Sequence, residues 1–286
     1  MSLLSATRTL ASAQPLLNLG CGRRCHPDWT NLDINPEAPG VIRCDFTRHI
    51  PYADGSFAAA YCSHALEHLR KEDAPIFLAE CRRVLQPGGI LRLAVPDLEI
   101  ICRLYLERLD AAMQGEPGAE AEHAWMTLEL LDQAVRETSG GAMLQSLAQN
   151  PLPAEEFILR RVGPEAAIWI NDLRRAPEPQ PPKAQSILRW LWLRVRRAIL
   201  DALHDPNWAR PLAIGRFRMA GEVHHWMYDR LSLAQILKQA GFEDPKDMAA
   251  GESAIEGFAT AGLELSPEGA VLKPDSLFME AVRPCK

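Results

Sequence analysis

The stretch that most constrains this chain is Leu16-Leu17-Asn18-Leu19-Gly20-Cys21-Gly22, a short apolar run that breaks into two closely spaced glycines. Four mostly apolar residues bounded by glycine read as a buried strand. Glycines straight after a strand let a ligand lie against bare backbone at the carboxyl edge of a sheet, where open α/β folds hold their ligands. Further short strands are expected from Thr30 to Ile34, from Val41 to Cys44 and from Phe57 to Ser63. Asp73 then caps a helix carrying Pro75 in its first turn, Gln86-Pro87-Gly88-Gly89 stops it, and residues 90–95 form the next strand. Short strands alternating with helices predict a parallel sheet with right-handed crossovers.

The residues at the strand ends suggest the ligand. Asp33 ends the second strand, where a carboxylate can accept both hydroxyls of a ribose. Asp45 follows the third strand, and with Phe46 it could bracket the edge and face of an adenine. Either acid alone reads equally well as a solvated strand terminus. Three successive strand ends of this kind imply a nucleoside-bearing cofactor. A dinucleotide site wants a third glycine three residues after the second, but position 25 is Cys, and Asp33 comes only 13 residues after Gly20. A loose glycine turn with a nearby acid suits a cofactor without a pyrophosphate, such as S-adenosylmethionine.

Leu17-Asn18-Leu19-Gly20-Cys21-Gly22, Asp33, Asp45, Leu66-Glu67-His68-Leu69 and Arg83-Val84-Leu85-Gln86-Pro87-Gly88-Gly89 together resemble the motif series of class I S-adenosylmethionine-dependent methyltransferases. The resemblance covers roughly residues 15–105 and 216–284. It implies an α/β, Rossmann-like sheet, mostly parallel with an antiparallel last strand, interrupted by a helical insertion. It also implies S-adenosylmethionine as cofactor, held by Asn18, Leu19, Gly20, Cys21, Gly22, Asp33, Ile34, Asp45 and Phe46, with Ser63 and His64 at the methyl end. Gly221-x-x-His224-His225-Trp226-Met227-Tyr228-Asp229 and Lys273-Pro274-Asp275-Ser276-Leu277-Phe278-x-Glu280-Ala281 resemble a branch associated with glycan and polysaccharide biosynthesis.

Methyl transfer from a sulfonium is an in-line displacement, so much of the acceleration comes from placing the acceptor. A sugar hydroxyl or carboxyl acceptor also calls for a base, and histidine suits neutral pH. His64, just past the fourth strand, is the first candidate, followed by His225 and His68. His224, His225, Trp226 and Tyr228 are expected to meet a small-molecule or glycan-type acceptor, with Trp226 and Tyr228 equally suited to closing the core. The expected reaction is O-methylation. A non-catalytic S-adenosylmethionine-binding partner protein is the alternative. His64-Ala65-Leu66-Glu67-His68 also spells HxxEH, the pattern of a metallohydrolase, but it follows a strand end rather than opening a long helix. No resident metal is expected.

The remaining chain reads as helical over 98–109 and 119–135, and as an irregular loop over 151–185, where seven of the 22 prolines fall between Pro151 and Pro182. From Ser186 to Leu200 a basic amphipathic helix sets Leu188, Leu191, Trp192, Val195 and Ile199 opposite Arg189, Arg194, Arg196 and Arg197. Such a helix can rest on an anionic membrane surface, grip a phosphorylated carrier or pack as a lid. Ser232, with Gln235 as its capping-box partner, opens another helix that Gly241 ends, and residues 276–282 form the last strand. The layout is therefore an N-terminal extension at 1–14, a cofactor-binding half at 15–109, a helical insertion or lid at 110–215, and the rest of the catalytic domain at 216–286. The 286 residues, 47% hydrophobic and 24% charged, suffice for one such core. A net charge of −6 argues against a nucleic-acid binder. Neither a membrane span nor a signal peptide is expected. Seven scattered cysteines without a CxxC pair suggest reduced thiols and a cytoplasmic protein.

Overall fold

The computed structural model describes residues 15–175, 191–192, 194–195 and 206–285. The expected extension at 1–14 and most of the basic helix lie outside the described residues. Of that helix Leu191, Trp192, Arg194 and Val195 are described; they are helical, and Leu191, Trp192 and Val195 are exposed. Among the described residues no helix is long and apolar enough to cross a membrane.

The chain forms two compact units. The first takes in residues up to 97, then 227–272 and 276 onward. Its centre is a seven-stranded sheet built from β1 (Leu16–Leu19), β2 (Thr30–Asp33), β3 (Ile42–Arg43), β4 (Phe57–Ser63), β5 (Leu85–Pro96), β6 (Glu243–Met248) and β7 (Ser276–Val282). The strand order is β3-β2-β1-β4-β5-β7-β6. The first five strands pair in parallel, and β7 runs antiparallel to both β5 and β6. This is the Rossmann-like, mostly parallel sheet expected from the sequence. The order reverses at β1, which pairs with β2 on one side and β4 on the other. Ligands of open α/β sheets sit beyond the carboxyl ends of the strands at such a switch point.

Side-chain alternation gives the sheet two buried faces. Along β4, Ala60 and Cys62 face a core made with helix α1 (Ala74–Val84) and the later helix from Arg230 to Gln239, through Phe77, Leu78, Cys81, Leu233 and Leu237. Ala59 and Tyr61 face the opposite side, which is covered by Ile255, Phe258 and Leu263 from an irregular segment. Arg92 of β5 is fully buried on that side. It donates to Glu264 at 2.7 Å, Glu280 at 2.8 Å, and the carbonyls of Glu252 at 2.7 Å and Ala249 at 3.1 Å, so all three of its nitrogens are occupied. Buried charge is tolerated when it is paired and hydrogen-bonded in this way.

The link from β1 to β2, residues 20–29, contains no helix. Two buried asparagines hold it instead. Asn31 donates to the carbonyls of His26 (2.8 Å) and Trp29 (2.9 Å), and its amide oxygen accepts from Asn18 (3.0 Å). Asn18 also donates to the Arg24 carbonyl at 2.9 Å.

The second unit takes in residues 98–226 and 273–275. It contains α2 (Leu98–Met113), α3 (Ala119–Val135), α4 (Gly141–Leu147), α5 (Glu155–Val162), α6 (Pro164–Arg174) and α7 (Pro206–Arg218). The irregular loop expected over 151–185 is corrected here, because α5 and α6 occupy its described part. Pro164 sits at the start of α6, where a missing N–H costs nothing. Trp125, Met126, Ile158, Ala166 and Ile170 are buried. The helix from Arg230 to Gln239, α8, belongs to the first unit. It is capped by Asp229 rather than Ser232: Asp229 accepts from the Ser232 N–H at 2.7 Å, and Ser232 Oγ accepts in return from the Asp229 N–H at 3.0 Å.

Candidate active site at the switch point

β1 ends in Gly20, whose φ of +65° only glycine adopts freely; a Cβ there would stand 3.0 Å from Ala65 Cβ and 3.4 Å from the Phe46 ring. Gly22, at φ +51°, has nothing within 4 Å of where its Cβ would be, so bare backbone faces open space. Its N–H donates to Asp33 Oδ2 at 2.8 Å, and Asn35 N–H donates to Asp33 Oδ1 at 2.7 Å. The carboxylate at the end of β2 is thus fixed against the glycine turn, and each oxygen keeps a lone pair for a further donor. Leu19 is buried in β1, and Cys21 is buried between the glycines with its thiol pushed up to about 12, chiefly by burial.

The third strand end carries Asp45 and Phe46. Asp45 is exposed and accepts from the Thr47 N–H at 3.3 Å. Phe46 is buried, its ring centroid 5.7 Å from that of Phe77 and its edge against Gly20. The ring closes the core beneath the glycine turn. The apolar surface left open at this edge is Ile34, 46% exposed beside Asp33. Asn18 points into the asparagine pair described above rather than toward the strand ends.

On the other side of the switch point, β4 runs out at Ser63 and His64, both half-buried. His64 N–H donates to the Ala94 carbonyl at 2.8 Å, and the residue sits at φ +49°, a conformation few side chains adopt. Its Nε2 lies 2.7 Å from Ser276 Oγ, at the first residue of β7, and its Nδ1 lies 3.4 Å from Glu67 Oε1. Glu67 is fully buried in the single 3-10 turn Leu66–His68. The His64–His68 pentad is therefore not α-helical, and the spacing that would bring two imidazoles onto one α-helix face does not operate. Tyr228 is 2% exposed and its hydroxyl has no hydrogen-bond partner. Its pKa is pushed up to about 12 by burial and then by the charge of Glu67. It closes the core of the first unit. His224 is buried in the second unit, where its N–H donates to the Gln133 carbonyl at 3.0 Å; His225 is half-buried and Trp226 is exposed there.

Sequence reasoning missed Ser276 as a partner of His64, for the two stand 212 residues apart and no local pattern links them. It also missed the asparagine pair and Arg92. A lone arginine between Leu91 and Leu93 in an apolar strand was the available sign of the latter.

Residues 17–93 match the family model described as a methyltransferase domain. A probable methyltransferase from Aspergillus luteorubrus is 39% identical over 62 residues, 20% of this chain and 22% of that protein, so the match spans about a fifth of the relative's length. Among solved structures, a SAM-dependent methyltransferase from Archaeoglobus fulgidus superposes with a TM-score of 0.37 at 12% identity, covering 95% of this chain and 86% of that one. A possible histamine N-methyltransferase from Thermotoga maritima gives a TM-score of 0.37 at 11% identity, covering 96% and 84%. Likenesses this loose bear on neither activity nor acceptor. Residues 17–93, which carry most of the parallel half of the sheet, are thus similar to a methyltransferase domain, and the strand order is that of a Rossmann-like, mostly parallel sheet.

Proposed function

We propose that the chain transfers a methyl group from S-adenosylmethionine to an oxygen of a small-molecule or glycan-type acceptor. The observation that carries this reading is the clamp of Gly22 on Asp33 beside open space at the switch point, with His64 across it at the end of β4. The residues present fit the cofactor. The bare backbone of Gly22 leaves room for it, Asp33 offers two oxygens to vicinal hydroxyls, and Ile34 offers an apolar surface to a base. When bound, S-adenosylmethionine supplies an electrophilic methyl.

His64 is the base in this reading. Glu67, buried and close to Nδ1, favours the tautomer that carries the proton there and leaves Nε2 to accept one. Ser276 marks, at 2.7 Å from Nε2, the distance at which a hydroxyl meets that nitrogen. His68 is a further candidate base. The test is transfer of a radiolabelled methyl from S-adenosylmethionine to a panel of sugars, phenols and carboxylic acids. Wild type is expected to label at least one class. His64→Ala is expected to lose about 10²–10⁴-fold in rate at saturating S-adenosylmethionine, the usual worth of a general base. Equal rates for the two proteins would contradict the role of His64, and an unlabelled panel would contradict the proposed reaction.

A further inference from the structure

Two thiols stand in the turn that carries the glycines. Cys25 donates its S–H toward Cys21 Sγ at 3.8 Å, and both thiols reach the same backbone carbonyl, that of Gly22, at 3.7 Å from Cys21 and 3.8 Å from Cys25. The hydrogen bond from Arg24 N–H to the Cys21 carbonyl, 2.8 Å, folds the chain back so that the two side chains meet across four residues. Gly22 is the residue whose N–H clamps Asp33, so the thiols and the acid hold the two backbone ends of one residue. Cys25 is half-buried and Cys21 is buried.

We propose that Cys21 and Cys25 form a dithiol modification site for two-electron oxidants of the peroxide class, and that closing their disulfide lowers the affinity of the neighbouring glycine turn for its cofactor. The first statement rests on the thiol geometry alone; the second rests on the cofactor reading above. Cys25, the more accessible sulfur, attacks the O–O bond of hydrogen peroxide as thiolate, giving a sulfenic acid and one water once its proton is counted. The sulfur of Cys21 then displaces the hydroxyl from Cys25, an S–S bond forms as the S–O bond breaks, and the Cys21 proton leaves with the hydroxyl as a second water. Peroxide is reduced by two electrons and the chain loses two hydrogens. The buried Cys21 thiol, held protonated, is the resolving partner rather than the first to react. Closure draws the sulfurs from 3.8 Å to about 2 Å. It also removes both S–H donors from the Gly22 carbonyl, which must turn to find others.

Arg23 and Arg24 lie between the two cysteines, so trypsin places Cys21 in the peptide 9–23 and Cys25 in the peptide 25–43, with no other cysteine in either. The full chain is treated with hydrogen peroxide, the remaining thiols are alkylated, and the digest is read by mass spectrometry. S-adenosylmethionine affinity is measured before treatment, after it, and after dithiothreitol. The expected result is a disulfide-linked 9–23/25–43 pair as the main oxidised product. Affinity is expected to fall about tenfold and to be restored by dithiothreitol, a coupling of ordinary size. Cys25→Ser should keep its affinity through the same treatment. Peptides that remain alkylated at both cysteines would overturn the proposal. So would a linked pair with unchanged affinity, or equal sensitivity in Cys25→Ser. If reduced wild type binds no S-adenosylmethionine, the cofactor reading fails separately while the linked peptides still score the thiols.

Discussion

At the scale of single residues, His64 is the position where conformation and chemistry are least separable. Its left-handed backbone is unfavourable for any residue with a Cβ, yet that turn is what sets the imidazole between Ser276 and Glu67. His64→Ala keeps the strain and loses the contacts, whereas His64→Gly loses the contacts and the strain together. Urea unfolding should therefore find His64→Gly more stable than His64→Ala by about 1 kcal/mol, the reverse of the order expected in a strand or helix. A lower midpoint for the glycine variant would count against the strained turn. Asn31 sets a second residue-scale test. Asn31→Ala takes one of the two partners from the Asn18 side chain and the Asn31 donor from the carbonyls of His26 and Trp29 in a largely buried setting, and should cost about 1–3 kcal/mol in the same measurement. The glycines and Asp33 were legible in the sequence because each does its work within a few residues of a strand end. Ser276, Asn31 and Arg92 were not, because their roles exist only once distant strands are adjacent.

At the scale of elements, two carboxylates make opposite contributions to stability as pH changes. Glu80 of α1 is held down at about 2, first by its hydrogen bonds from Arg83, which also grips the carbonyls of Ile50 and Tyr52. A depressed acid stabilises the fold above its ordinary value near 4.5, and that share is lost as pH falls toward 2. Glu129 of α3 is pushed up to about 7 by burial, against the pull of Arg161. A raised acid costs stability once it must ionise, so its penalty grows as pH rises from about 4.5 to 7. Thermal unfolding across pH should show Glu80→Gln flattening the acid limb and Glu129→Gln flattening the decline toward neutrality; unchanged slopes in both would contradict these assignments. The elements also show where sequence patterns mislead. β6, Glu-Asp-Pro-Lys-Asp-Met, carries no alternation because it is an edge strand, where charge and proline are tolerated. α5 and α6 went unseen because prolines that flank and start helices look like prolines that prevent them.

At the scale of the molecule, each unit has its own core. The first is notable for what replaces a helix after β1. The asparagine pair holds the short link, and Arg92 with Glu264 and Glu280 ties the segment around Phe258 over the far face of the sheet. Arg92→Met would leave two glutamates buried without their cation and should cost about 3–5 kcal/mol, read by chemical denaturation. This arrangement leaves the glycine turn and Asp33 as the open edge at the switch point, the feature on which the functional reading turns. The most direct measurement of that reading is calorimetric titration of the full chain with S-adenosylmethionine, for wild type and for Asp33→Ala. Wild type should bind one equivalent, and the variant should bind about tenfold to a hundredfold more weakly, the worth of hydrogen bonds to a charged group. No binding to folded wild type, or equal affinity in the variant, would contradict the account.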